Sequence, residues 1–174
     1  TIPDSVTEIG YGAFSNCSSL TTITIPDSVT EIRTSTFSDC RSLTTITIPD
    51  SVTKIGGSAF DDCSSLTSVS IPDSVTEIGG YAFRYCRSLT SITIPDSVTE
   101  IENYAFYGCS SLTNVYCKPV TPPIAELYEY NGKWNAFEAI GTSAKIYVPV
   151  GSGAAYKAAK YWSDYASIIE EKAM

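Results

Sequence analysis

Without histidine, the chain lacks the side chain that most often serves as general base, activates serine or cysteine, and ligates zinc. Serine is abundant, but no partner base accompanies it, so it reads as surface and turn filler. Six cysteines invite a disulfide count. Five recur in one column: Cys17, Cys40, Cys63, Cys86 and Cys109. Stacked positions can lie within disulfide range, at about 5 Å, but their Cβ vectors run parallel, which is poor geometry for bridging. The expectation is buried, inert free thiols. Cys117 falls outside the column and is expected to be more exposed. No Cys-x-x-Cys occurs, which leaves the metal reading weak.

Two carboxylate ladders offer oxygens: Asp4, Asp27, Asp50, Asp73 and Asp96, and then Glu8, Glu31, Glu77 and Glu100, interrupted by Lys54. Calcium needs several convergent oxygens per ion. A ladder presents one or two in a line on open surface, so turn chemistry and solvated charge account for it. Val150-Gly151-Ser152-Gly153 resembles a dinucleotide loop, yet Tyr156 stands at the third glycine and no βαβ partner follows. No catalytic residue, metal or cofactor is expected, and the chain reads as no enzyme. A deep cleft pairing Glu126 with Glu129 would reopen that question.

Recognition chemistry is better represented. Tyr81, Arg84, Tyr85, Arg87, Tyr104 and Tyr107 gather in the last third of a repeated region. Tyrosine and arginine are typical hot-spot residues of interfaces.

The elements that must position these groups follow from an internal period. Ile2-Pro3-Asp4-Ser5-Val6-Thr7 returns at Ile25, Ile48, Ile71 and Ile94, always at the same interval, with no insertion or deletion. Leu20, Ile23 and Ile25 give L-x-x-I-x-I, and the alternating Ile-Thr-Ile reads as a short strand with isoleucines inward. Pro26-Asp27-Ser28 makes a turn, with proline expected at its first central position and Asp and Ser bonding local backbone. Ile32, Thr36-Phe37, Cys40 and Leu43 follow a spacing of ~3.6, which predicts a helical or 3₁₀ turn facing inward. The whole is a leucine-rich-repeat solenoid, one short parallel strand plus one short helical turn per coil. No coil can bury its apolar face alone, so stability is shared between neighbours.

The unit L-x-x-I-x-I-P-x-S-V-x-x-I-G-x-x-A-F-x-x-C resembles the BspA-type (Treponema pallidum-like) leucine-rich repeat over residues 1–116. That resemblance implies a bacterial cell-surface, extracellular setting and adhesion to host matrix proteins, to other surface proteins or to glycans. Residues 117–174 form an unlike C-terminal cap. Cys117 to Pro123 is a proline-rich exit expected to end the ladder. Glu126 to Ile140 carries a turn at Asn131-Gly132. Lys145–Val148 is expected as a strand, Ser152 as the N-cap of a helix reaching Lys160, and Asp164 as the cap of a final segment through Ile169. The run from Tyr147 to Trp162 is similar to the cap of gut-bacterial members of this family, and its apolar side should cover Val115 and Phe106. Register places Thr1 at the end of a strand, which predicts more solenoid upstream or another cap there.

Composition narrows the partners. Apolar residues form 43% and charged residues 17%, enough for a real core. A net charge of −8 argues against nucleic acid and fits anionic membranes poorly. No run of 18 apolar residues offers a membrane span, and no basic leader precedes the repeat. A monomer is expected. Two surfaces remain for binding. The strand face is flat and hydroxyl-rich (Thr21, Thr44, Thr67, Thr90, Thr113 and the columns beside them); β-propensity with cross-strand hydroxyl pairing explains it, though it stays a candidate. Variation instead concentrates at outward positions around the phenylalanine, at Tyr11, Thr34 and the six residues named above. Their mix of Tyr, Arg, Gly, Ser, Asp and Asn resembles an antibody paratope. The competing explanation is relaxed drift on a solvated face, and a passive spacer or a glycan-binding module is the alternative function.

Overall fold

The computed structural model describes residues 2–125 and 135–174. Strands come in pairs along the chain: β1 (Glu31–Ile32), β2 (Thr45–Thr47), β3 (Lys54–Ile55), β4 (Ser68–Ser70), β5 (Glu77–Ile78), β6 (Ser91–Ile94), β7 (Glu100–Ile101) and β8 (Asn114–Cys117). After them come β9 (Lys145–Pro149), helix α1 (Gly153–Ala158), a 3₁₀ turn at Trp162–Tyr165 and β10 (Ile169–Lys172). The odd strands β1, β3, β5 and β7 form one parallel ladder. On the other wall, β2 pairs with β4, and β6, β8, β9 and β10 form a second parallel sheet. Partners along the repeats sit one full period apart, as in Ile46↔Val69 and Ile92↔Val115. The molecule is therefore a solenoid of stacked coils.

Its core is a set of columns. Phe14, Phe37, Phe60, Phe83, Phe106 and Phe137 stack ring on ring, with centroids 5.1–5.4 Å apart and planes within 11°. Phe37 to Phe106 are fully enclosed, whereas Phe14 at the first coil is half-buried. Valines, isoleucines and leucines of the repeat fill the columns beside them.

The predicted helical turn is replaced by something else. On the stretch around Phe37, every second N–H points to the next coil: Ser35 to Gly57 O at 2.9 Å, Phe37 to Ala59 O at 2.8 Å, Asp39 to Asp61 O at 2.7 Å. The N–H groups between them close short turns within the coil, Thr36 to Arg33 O and Ser38 to Ser35 O. A helix would keep all these bonds to itself; here half of them join the coils. Reversing alternate peptides requires left-handed backbone, seen at Ser35 (φ 58°) and Asp39 (φ 59°) and at the equivalent pair in every coil. The ~3.6 spacing still turns Phe37, Cys40 and Leu43 inward. It signals an inward face without fixing which way the amides point.

Two further expectations change in detail. The turn after each strand closes from Val29 N–H to Pro26 O (3.0 Å), which makes proline its first residue and Asp27 and Ser28 the central pair. Ser28 does not bond locally: its hydroxyl donates to Val6 O of the preceding coil at 2.6 Å, as Ser51, Ser74 and Ser97 do in turn. On the strand face, the hydroxyls of Thr44, Thr67 and Thr113 donate to backbone carbonyls one coil back rather than pairing with each other.

The cysteines are free thiols, with Cys40, Cys63, Cys86, Cys109 and Cys117 buried and Cys17 exposed. Each enclosed thiol of the column donates to a phenylalanine carbonyl in the preceding coil, Cys63 to Phe37 O at 3.1 Å and Cys86 to Phe60 O at 3.2 Å. Cys117 is not the exposed cysteine expected. It extends β8, takes the register of Ile94 and is fully covered. Burial pushes the Cys40 thiol up to about 11 and Cys109 up to about 12. In the native state at pH 8, a thiol reagent is therefore expected to titrate one cysteine rapidly, Cys17, and the other five only on unfolding. A second thiol reacting as fast as the first would contradict this packing.

The proline-rich exit does not end the ladders. Ile124 bridges to Glu100 and Ile101, donating to Thr99 O at 2.8 Å, and β9 lays Ile146 beside Val115. The carbonyls of Pro119 and Pro123 accept from Tyr156 Oη (2.7 Å) and Trp162 Nε1 (2.9 Å), so the cap's aromatic side chains satisfy the exit. Phe137 covers Phe106 and is itself closed by Trp162 and Tyr165. The expected strand is present as β9. The expected helix is shorter, Gly153–Ala158; Ser152 is its N-cap residue as expected, but its hydroxyl donates to Pro149 O and makes no capping bond to the helix. Asp164 lies inside the 3₁₀ turn, and the final segment is β10, parallel to β9, rather than a capped helix. Asn131-Gly132, Glu126 and Glu129 lie outside the described residues.

Candidate functional site: a tyrosine–arginine ridge

The two left-handed positions of each coil form two columns on the outside of the solenoid. One reads Gly12, Ser35, Ser58, Tyr81, Tyr104; the other reads Asn16, Asp39, Asp62, Tyr85, Gly108. Glycine and short polar residues occupy left-handed backbone at little cost, but a bulky side chain there is an outlier. Tyr81 (φ 60°), Tyr85 (φ 57°) and Tyr104 (φ 54°) all accept that conformation. Arg84 and Tyr107 share the column between them, and Arg87 lies just beyond Tyr85.

All six predicted residues meet in one cluster. Tyr81 lies 5.3 Å from Tyr104, Tyr104 packs edge-on to Tyr107 at 5.0 Å, and Tyr107 packs edge-on to Tyr85 at 5.5 Å. The Arg84 guanidinium sits 4.8 Å from the Tyr81 ring and 5.4 Å from Tyr85, and Arg87 lies 5.1 Å from Tyr85. Arg84 is fixed by Asp61 one coil back, with its Nε donating at 2.8 Å. Its charge is held more firmly by that carboxylate. Burial, with Glu138 nearby, raises the Tyr104 phenol above its ordinary value. Tyr11 is not part of this group. It is highly exposed, stands one column over and packs against Arg33 at the first coil. Thr34 is exposed and shares Tyr11's column, apart from the ridge.

Comparison with known proteins follows the same register. The description of a BspA type leucine rich repeat region matches residues 1–117 in six copies. The chain belongs to this family. Its repeats are similar to those of a T. pallidum leucine rich repeat protein, at 27% identity over 94% of this chain and 78% of that one, with a TM-score of 0.67. A leucine rich cell surface protein of Faecalibacterium prausnitzii is 27% identical over 88% of this chain, with a TM-score of 0.61. A leucine-rich repeat protein of Bacteroides ovatus is 30% identical over 84% of this chain and 54% of its own, with a TM-score of 0.52. The chain spans about a third of the F. prausnitzii protein's length (36%). The sequence matches no curated protein. Among the described residues, no helix is long and apolar enough to cross a membrane.

Against the BspA-type register, two residues of the ridge stand out that variation alone did not mark. Asp61 is one, and its signal was present: it lies one repeat before Arg84 in the same column, so opposite charges had to stack. Gly108 is the other. A Cβ there would lie 2.5 Å from Tyr85 Cδ1, so the Tyr85 ring rests directly on this glycine. Gly108 also has φ 71°. Gly108→Ala is expected to destabilise the fold by about 1–2 kcal/mol through backbone strain and to swing Tyr85 away from Tyr107. Urea denaturation and near-UV circular dichroism would read the two effects, and an unchanged tyrosine signal would contradict the seating of Tyr85.

Proposed function

We propose that this chain is a non-enzymatic protein-interaction module of a bacterial surface protein, and that the ridge of Tyr81, Arg84, Tyr85, Arg87, Tyr104 and Tyr107 is its contact surface. The observation that carries the proposal is that six outward residues, scattered in sequence, form one continuous aromatic and guanidinium surface over two coils. Relaxed drift gives no reason for three tyrosines to settle on left-handed backbone, where each costs on the order of 1 kcal/mol. Strain of that kind accompanies function when the surroundings hold it in place. Rigid tyrosines supply contact area at low entropic cost, and arginine adds directed hydrogen bonds. Guanidinium groups lie close to the rings of Tyr81 and Tyr85, which favours a protein partner over a sugar stacked on open aromatic faces.

The repeat itself supplies the test variants. Tyr81→Ser, Tyr85→Asn, Tyr104→Ser and Tyr107→Ser install residues that the same columns carry in earlier coils, so folding should persist. Binding to immobilised fibronectin, laminin and collagen, measured by surface plasmon resonance, should fall at least about tenfold for the combined variant, the effect of losing one good anchor. Replacing Thr44, Thr67 and Thr90 by Ser on the strand face should leave it unchanged. Undiminished binding by the folded ridge variant would refute the proposal.

A further inference from the structure

The repeat contains an internal control for Arg87. Arg41 occupies the same position two coils earlier. There its guanidinium is satisfied twice, by Asp39 of its own coil (2.7 Å) and by Asp62 of the next (3.0 Å). At Arg87 both carboxylate positions have changed: Asp39 is replaced by Tyr85 and Asp62 by Gly108. Among the described residues Arg87 has no ion pair; its contact is with the ring of Tyr85. Arg84, by contrast, is already neutralised by Asp61. The ridge therefore keeps one cation whose local carboxylates have been exchanged for an aromatic ring and a glycine.

We infer that Arg87 receives a carboxylate from the partner: the ridge binds an acidic peptide segment, one Asp or Glu side chain entering beside Tyr85 where Arg41 has Asp39 and Asp62. This rests on the ridge being the contact surface. A single carboxylate suits the site better than a polyanion. One arginine is open, the other is paired, and the chain's net charge of −8 repels dense negative charge. A charged hydrogen bond at an aromatic-lined contact also gives specificity, since a neutral partner would leave the guanidinium unmatched.

The experiment pans a displayed random dodecapeptide library on the immobilised chain and remeasures recovered peptides on variants. Peptides bound at the ridge should be enriched in Asp or Glu next to an apolar or aromatic residue. Their affinity should fall about tenfold on Arg87→Gln, the value of one charge-assisted hydrogen bond, and stay constant on Arg41→Gln. Tyr85→Asp, which restores the carboxylate of coil two, should weaken them more than Tyr85→Asn, because only the former quenches Arg87. Heparin fragments should not compete below millimolar concentration. Peptides that depend on Tyr81 and Tyr104 but ignore Arg87→Gln would overturn the carboxylate assignment and leave the ridge standing. Competition by micromolar heparin would also overturn it in favour of a sulfated ligand. Recovery of no ridge-dependent peptide would overturn both the assignment and the ridge.

Discussion

Raising the pH from 8 to 10 is expected to unfold this solenoid. In the unfolded chain a cysteine ionises near pH 8.5. In the folded chain Cys63, Cys86, Cys109 and Cys117 are enclosed, and burial raises all four thiols well above that value. The donated S–H bonds of Cys63, Cys86 and Cys109 also require the proton. The sign follows from proton counts. Above pH 8.5 the unfolded state releases protons that the native state retains, so stability falls as pH rises, until the native thiols themselves ionise. Each thiol contributes about 1.4 kcal/mol per pH unit, so four together remove ~5 kcal/mol per unit once the pH exceeds the unfolded value. A domain's total stability is of the order of 5–15 kcal/mol. Tyr156 and Tyr165, whose phenols are also raised by burial, act in the same direction at still higher pH. Urea midpoints measured at intervals from pH 7.5 to 10 should collapse over the last unit and a half. Cys86→Ala should lower the midpoint at pH 7.5 yet make the pH slope shallower by about 1.4 kcal/mol per unit. A midpoint that holds steady to pH 10 would mean that the thiols are not enclosed.

Phe83→Ala should destabilise the fold by about 3–5 kcal/mol, the usual range for deleting an enclosed aromatic ring. Phe83 is stacked on both sides, 5.2 Å from Phe60 and 5.3 Å from Phe106, and is fully buried. Because each coil is stable only through its neighbours, removing a central ring weakens two interfaces at once. Phe14→Ala provides the contrast. Its ring is half-buried at the first coil and stacks on Phe37 alone among the described residues. Its loss should cost less than half as much. Equal effects at the two positions, in urea denaturation followed by circular dichroism, would contradict a stability carried by nearest neighbours along the column.

How much of this was legible beforehand depends on which physical quantity the sequence encodes. Burial repeats with the period, so every core column from Ile25 to Val115 could be read from spacing. Amide direction does not. The helical spacing of Ile32, Phe37 and Cys40 is met equally by a helix and by alternating turns, and the bonds to the next coil decided between them. The left-handed positions had a signal in coils one to three, where Gly12, Asn16, Asp39 and Asp62 are the residues that tolerate such backbone, and tyrosine then hid it in coils four and five. Cys117 illustrates a second limit. Its place in the Ile94 column was visible one repeat on, but the prolines that follow suggested an end to pairing, and only the side chains of Tyr156 and Trp162 show how their carbonyls are satisfied. The six ridge residues are conspicuous because they depart from a near-perfect repeat. Asp61 and Gly108 are inconspicuous in the sequence because one looks like ordinary surface charge and the other like an ordinary turn.

On the proposed reading, the outer ridge, and not the hydroxyl-rich strand face, meets the partner. Hydrogen exchange of the chain with and without a matrix protein retained in the binding assay locates the contact directly. Protection is expected across residues 80–88 and 103–109, with residues 44–47, 67–70 and 90–93 unchanged. Protection confined to those three strand segments, with the ridge unaffected, would place the partner on the strand face and contradict this reading.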